Sequence, residues 1–128
     1  MNILLDTHAA IWFITNDQKL PVKSKALISN PENSCFVSIA TLWEMGIKYS
    51  LGKLILRTEL DRIFEIFSET GFLLLPIKRE HVLLNSTLEY YHRDPFDRII
   101  IAQAMYEKFT ILSGDELFEK YDVKLSWE

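Results

Sequence analysis

The chain has 128 residues, 48% of them apolar and 25% charged, proportions of a folded domain that exclude disorder and fibrous repeats. Eighteen Asp and Glu stand against fourteen Lys and Arg, a net charge of −4, which disfavours a nonspecific nucleic-acid binder as a description of the whole chain. The single Cys35 excludes an internal disulfide and a multi-thiolate zinc site and fits a reduced, cytoplasmic setting.

The first residues, Met1-Asn2-Ile3-Leu4-Leu5-Asp6, carry no basic region and no small-residue cleavage site, so a signal peptide is not expected. Ile3 to Leu5 is a short apolar run suited to a buried strand. Thr7 to Thr15 reads as a helix that is apolar nearly all round, and Val22 to Ser29 as a second helix. Cys35 to Val37 suits another strand, with Cys35 as a small core residue. Ser38 is placed to cap a helix from Ile39 to about Ser50. Lys53 to Arg57 reads as a connector. Glu59 to Glu69 repeats Leu60, Ile63, Phe64 and Phe67 at helical spacing, and Gly71 ends it.

Phe72 to Leu75 is a third strand closed by Pro76, followed by a helix expected from Arg79 to Tyr91. Pro95 to Phe109 is a further helix and Thr110 to Leu112 a fourth strand. Glu116 to Tyr121 reads as a short helix, and the alternation of Val123, Leu125 and Trp127 as a last edge strand. No uncharged apolar stretch reaches the ~18 residues of a membrane span. With four Gly, four Pro and no linker-like segment, one domain over residues 1–128 is expected. Short apolar strands alternating with helices imply α/β architecture around a mainly parallel sheet, in which function gathers at the carboxyl ends of the strands.

Acidic residues collect at that edge. Asp6 follows the first strand, and Asp115 follows the fourth in Ser113-Gly114-Asp115. Asp94 and Asp97 open the helix leading into the fourth strand, and Glu44 lies mid-helix where it can lean over the cleft. Each has a purely structural explanation. Asp6, Asp94 and Asp115 suit helix caps, Asp97 suits the acidic half of a capping box, and Glu44 and Lys48 suit a surface ion pair four residues apart. Together, however, converging carboxylates repel and resist ionisation unless a hard divalent cation relieves them. Mg²⁺ and Mn²⁺ suit such oxygen ligands, and a site of this kind suits phosphodiester hydrolysis.

Three motifs carry a family resemblance: Leu4-Leu5-Asp6-Thr7-His8, Val37-Ser38 followed by Trp43-Glu44, and Asp94-Pro95-Phe96-Asp97-Arg98 followed by Ile101-Ala102-Gln103-Ala104. With Ser113-Gly114-Asp115 they resemble, in order and over nearly the whole chain, the PIN-domain nucleases, and most closely the VapC-type toxins of toxin–antitoxin pairs. The resemblance implies a three-layer α/β/α sandwich with about five mainly parallel strands. It implies that Asp6, Glu44 and Asp97 are the core metal-site acids and Asp115 a fourth, outer-sphere or second-metal acid. Thr7 and Ser38 match polar supporting positions. Ser113 stands where the family usually has threonine, keeping the hydroxyl. Asp94 is either a cap or also faces the metal. The implied activity is that of an Mg²⁺- or Mn²⁺-dependent endoribonuclease leaving 5′-phosphate and 3′-hydroxyl ends. The implied partners are RNA, including tRNA and ribosomal RNA across the family, a small VapB-like antitoxin, and a second copy in a homodimer.

Outside the acids, Lys48, Lys53 and Arg57 form a basic stretch suited to RNA phosphates or to a solvated connector. Arg98 suits a carboxylate or a phosphate. His8, His81 and His92 have no metal-binding spacing, and His8 suits a helix surface. Surplus bulky groups on the helices Thr7 to Thr15 and Glu59 to Glu69 fit mostly core, the remainder a docking face. A phosphatase-like alternative is disfavoured because His8 stands where a second Asp is wanted. A nucleotide hydrolase is disfavoured because no Gly-Lys-Ser/Thr loop is present. A non-catalytic metal- or partner-binding domain and a nuclease of ordinary RNA processing remain alternatives. Setting Asp6, Glu44, Asp97 and Asp115 aside leaves fourteen acids against fourteen bases, so the whole charge excess coincides with the candidate metal site.

Overall fold

The computed structural model describes residues 1–128. The strands are β1 (Asn2–Leu5), β2 (Ser34–Ser38), β3 (Leu73–Leu75), β4 (Thr110–Leu112) and β5 (Lys124–Ser126). The helices are α1 (Thr7–Ile14), α2 (Val22–Ser29), α3 (Ile39–Ser50), α4 (Leu60–Thr70), α5 (Arg79–Asn85) and α6 (Pro95–Glu107), with a 3₁₀ turn at Glu116–Lys120. All strands pair in parallel, in the order β3-β2-β1-β4-β5. The chain therefore builds outward from β1 through β2 to β3, then crosses back to place β4 on the other side of β1. The reversal lies between β1 and β4, where a crevice opens at the strands' carboxyl ends.

Alternate strand residues face two cores. Ile3, Leu5, Cys35 and Val37 pack with Ala9, Ala10, Ile28, Met45, Ile63 and Phe67 from α1 to α4. Leu4 and Ile111 pack on the other face with Ile99, Ile100 and Ile101 of α6 and with Phe118. The result is the expected α/β/α sandwich. Because both sheet faces are buried, the strands are apolar runs rather than alternating ones. No helix is long and apolar enough to cross a membrane.

Two elements differ from the sequence expectation. The helix from Arg79 ends at Asn85, not Tyr91. Ser86 and Thr87 turn their hydroxyls back onto the carbonyls of Leu83 and Leu84, competing with further helix. Beyond them, the carbonyls of Leu88, Glu89 and His92 point at the Arg98 guanidinium, as does that of Asn85. The short helix expected after Asp115 is present as a 3₁₀ turn, whereas β5 spans only Lys124–Ser126, short of Val123 and Trp127. Gly71 ends α4 as expected, in the left-handed region at φ 97°. The bulky groups of α1 and α4, including Trp12, Phe13, Phe64 and Ile66, pack against the first core. The exposed large apolar side chains lie elsewhere, among them Trp43, Ile47 and Leu51 on and just after α3.

Candidate metal centre

Asp6 leaves β1 at the crevice and caps α1, its Oδ1 accepting from Ala9 N at 2.8 Å. Its backbone N–H still donates to Leu112 O, which keeps the residue in register with β4. Oδ2 accepts from Ser113 Oγ at 2.5 Å. Burial pushes the Asp6 carboxyl above its ordinary range; the bonds from Ser113 and Ala9 and the charge of His8 work against that, and Asp115 adds to it. One side chain thus caps α1 through Oδ1 and presents Oδ2 to Ser113 at the crevice.

Glu44 is buried on α3. Its Oε1 accepts from Thr7 Oγ1 at 2.9 Å, and its Oε2 pairs with Lys48 Nζ at 2.7 Å. Thr41 lies beside Thr7 at 3.1 Å. Thr7 therefore holds one oxygen of the Glu44 carboxylate. Ser38 does not. Its hydroxyl accepts from Ala40 N to cap α3 and donates to Gln103 Oε1 at 2.6 Å, while Gln103 Nε2 donates to Pro76 O. Ser38 fixes α3 and α6 against the end of β3, and so sets where Glu44 and Asp97 stand.

Asp94 caps α6, accepting from Phe96 N at 2.7 Å and Asp97 N at 3.3 Å. Asp97, one turn in, accepts no hydrogen bond from a side chain or backbone donor. Burial pushes its carboxyl up to about 7; the charges of Asp94, Glu44 and Asp6 add to the shift, and His92 offsets part of it. These are the neighbours expected of a converging cluster. Asp115 caps the 3₁₀ turn through Leu117 N. Its Oδ2 meets His92 Nε2 at 2.7 Å, and ligand atoms of His92, Asp97 and Asp115 lie within 4.8 Å of one another.

The arrangement is chemically lopsided. Asp6, Glu44 and Asp115 each have donors, yet Asp97 stands among them partly buried with no donor. A hard divalent cation satisfies such a set of carboxylate oxygens, so the residues fit Mg²⁺ or Mn²⁺.

The remaining candidates separate clearly. Ser113 holds Asp6 and also accepts from Asp115 N at 3.0 Å. Gly114 between them has no room for a side chain, because a Cβ would lie 2.9 Å from the Trp127 ring. Lys53 and Arg57 are exposed, and Lys48 is engaged by Glu44. Arg98, expected at a phosphate or carboxylate, is instead buried against four backbone carbonyls with its guanidinium 3.8 Å from the Tyr90 ring centre. It is a structural clamp. His8 is exposed and packs beside Trp12. His92 was missed from the sequence: its contact with Asp115 spans 23 residues, and no spacing rule reaches that far.

The PIN domain family matches residues 3–124. The chain belongs to the PIN-domain family. A chain of the Rickettsia felis VapBC2 complex, bound to a DNA fragment from its promoter, is similar at TM-score 0.76 and 16% identity over 100% of both chains. A chain of FitAB bound to an IR36 DNA fragment is similar at TM-score 0.71 and 20% identity, covering 97% of this chain and 93% of that one. A toxin–antitoxin complex from Klebsiella pneumoniae follows at TM-score 0.64 and 18% identity, covering 97% and 95%. At these identities the likeness speaks for the fold alone. No curated protein matches the sequence. Within the PIN frame, Asp6 and Asp115 stand at the strand-order reversal and Glu44 and Asp97 lean in from α3 and α6.

Proposed function

We propose that this PIN domain is a divalent-cation-dependent endoribonuclease acting as the toxin of a toxin–antitoxin pair. The observation that carries the reading is Asp97, a carboxyl pushed up to about 7 beside Asp94, Glu44 and Asp6 with no donor of its own. Such a group is costly to the fold and gains a purpose when a cation binds.

Asp6, Glu44 and Asp97 would hold the ion and Asp115 would assist. What a bound Mg²⁺ or Mn²⁺ supplies is charge neutralisation on the phosphate and a lowered pKa for attacking water. The chain's own residues do the positioning. Ser113 fixes the Asp6 carboxylate, and Thr7 fixes Glu44. Lys53 and Arg57, exposed and free of acidic partners, attract RNA phosphate toward a cleft that repels it when no cation is bound. An antitoxin partner is supported by similar folds in toxin–antitoxin complexes and by exposed Trp43, Ile47 and Leu51. A homodimer and a cytoplasmic setting belong to the same reading.

The test is cleavage of RNA by purified protein free of antitoxin. Cleavage should require Mn²⁺ or Mg²⁺, stop with chelator, leave 5′-phosphate ends, and be abolished in Asp6→Asn and Asp97→Asn with the fold intact. Undiminished cleavage by both variants overturns the site. Failure of the wild type on every RNA tried favours a non-catalytic binding domain.

A further inference from the structure

His92 lies just before the Asp94 cap, and its imidazole is buried between rings. Phe118 lies 4.7 Å away and Tyr121 5.5 Å away between centroids. The hydrogen-bond senses around it can be assigned one at a time. The His92 backbone N–H donates to the Tyr121 hydroxyl oxygen at 2.9 Å. That hydroxyl also lies 3.1 Å from His92 Nδ1, which accepts its proton when the neutral ring carries its hydrogen on Nε2. With Nδ1 accepting, Nε2 carries the ring hydrogen, and it faces Asp115 Oδ2 at 2.7 Å. The chain Tyr121 Oη–H to His92 Nδ1, then His92 Nε2–H to Asp115 Oδ2, therefore runs in one direction.

Asp115 needs such a tether. Its other oxygen, Oδ1, accepts only the Leu117 backbone N–H. One bond leaves the carboxylate free to swing, and repulsion from Asp97 would drive it toward solvent. The second bond, from Nε2, holds Oδ2 within the group that contains an Asp97 oxygen. Both anchoring residues, His92 and Tyr121, are buried and packed, so the tether has little freedom.

We propose that His92 is the positioning residue of this site, fixing Asp115 beside Asp97 so that the fourth carboxylate is aligned before a cation arrives. Tyr121 acts through it by holding the Nε2–H tautomer. The inference rests on the cation reading of the acidic cluster and adds to it a residue with no place in the metal-site motifs. A histidine that donates to a carboxylate of a metal site tunes affinity from outside, an effect typically worth about 10–100-fold.

The test uses the full chain and Mn²⁺ alone, with affinity measured by electron paramagnetic resonance of the free ion. His92→Ala should bind Mn²⁺ about 10–100-fold more weakly than wild type. His92→Gln, which keeps an N–H of similar reach, should recover to within a few-fold. In an Asp115→Ala background, His92→Ala should cause no further loss, because it acts through Asp115. Nitrogen-15 spectra of the cation-free protein should show His92 as the Nε2–H tautomer, with Tyr121→Phe giving a mixture. Wild-type affinity in His92→Ala overturns the inference, as does an equal further loss in the Asp115→Ala background or an Nδ1–H tautomer in the wild type. If the wild type itself binds no Mn²⁺, the cation reading falls and takes this inference with it.

Discussion

Ser113 donates its hydroxyl to Asp6 across 107 residues of sequence and the full width of the β1–β4 pair, at 2.5 Å. The same oxygen accepts from the Asp115 backbone N–H. One buried hydroxyl thus ties together two acids of the cluster. Ser113→Ala removes both bonds and leaves buried polar groups without partners, which costs about 1–3 kcal/mol. The expected result in chemical denaturation is a lower midpoint with an unchanged slope, together with weaker cation binding through a loosened Asp6.

Asp97 should destabilise the cation-free fold. Its folded pKa of about 7 lies above the ordinary 3.8, so the folded state holds the proton more tightly than the unfolded chain. That contribution to stability is full below the ordinary value and is lost as pH rises toward 7. At pH 8 the charged group is a net burden, and Asp97→Asn should raise stability. The gain is about 1–2 kcal/mol once solvent screening of this half-buried carboxyl is allowed for. Melting curves at pH 8 and pH 4 should show that advantage at the higher pH and a smaller one at the lower. A variant that is less stable at pH 8 would contradict the crowded-carboxylate description.

Arg98 and the pair Lys53 and Arg57 should behave oppositely. Arg98→Ala strips the donors from four carbonyls that hold the α5–α6 connection together, and a loss of about 3 kcal/mol or more is expected. Lys53→Ala with Arg57→Ala should leave the melting temperature almost unchanged. It should weaken RNA binding and flatten its salt dependence by about one unit of logarithmic slope for each phosphate no longer neutralised. Binding titrations at several salt concentrations measure this, and an unchanged slope would assign the pair to a solvated connector.

Gly114 should tolerate no side chain without moving Trp127. The added Cβ of Gly114→Ala meets the indole at 2.9 Å, so the ring near the end of the chain must shift. A stability loss of about 1–3 kcal/mol is expected. A change in Trp127 emission, read in a protein whose Trp12 and Trp43 are replaced by phenylalanine, reports the displacement.

The layered fold was legible because its causes are local. Apolar runs such as Ile3-Leu4-Leu5 need two buried faces, and Asp6, Ser38 and Asp94 each cap a helix within three residues of themselves. The four acids of the proposed site stand out in the sequence by their places: Asp6 and Asp115 after strands, Asp97 at a helix start and Glu44 within the helix that follows β2. What was not legible depends on long-range partners. The end of α5 is decided by Arg98 drawing carbonyls from residues 85 to 92, and Arg98 itself looks like a surface cation until those carbonyls are seen. Ser38 looks like a site residue but answers to Gln103, 65 positions away. His92 looks idle until Asp115 and Tyr121 close on it.

The central claim is that these carboxylates form one divalent-cation site with Asp97 at its heart. Calorimetric titration of the purified, chelator-treated protein with Mn²⁺ tests it most directly. The wild type should take up the ion, and Asp97→Asn, still folded, should bind it at least about tenfold more weakly. Equal binding by the two proteins, or no binding by the wild type, would contradict the account.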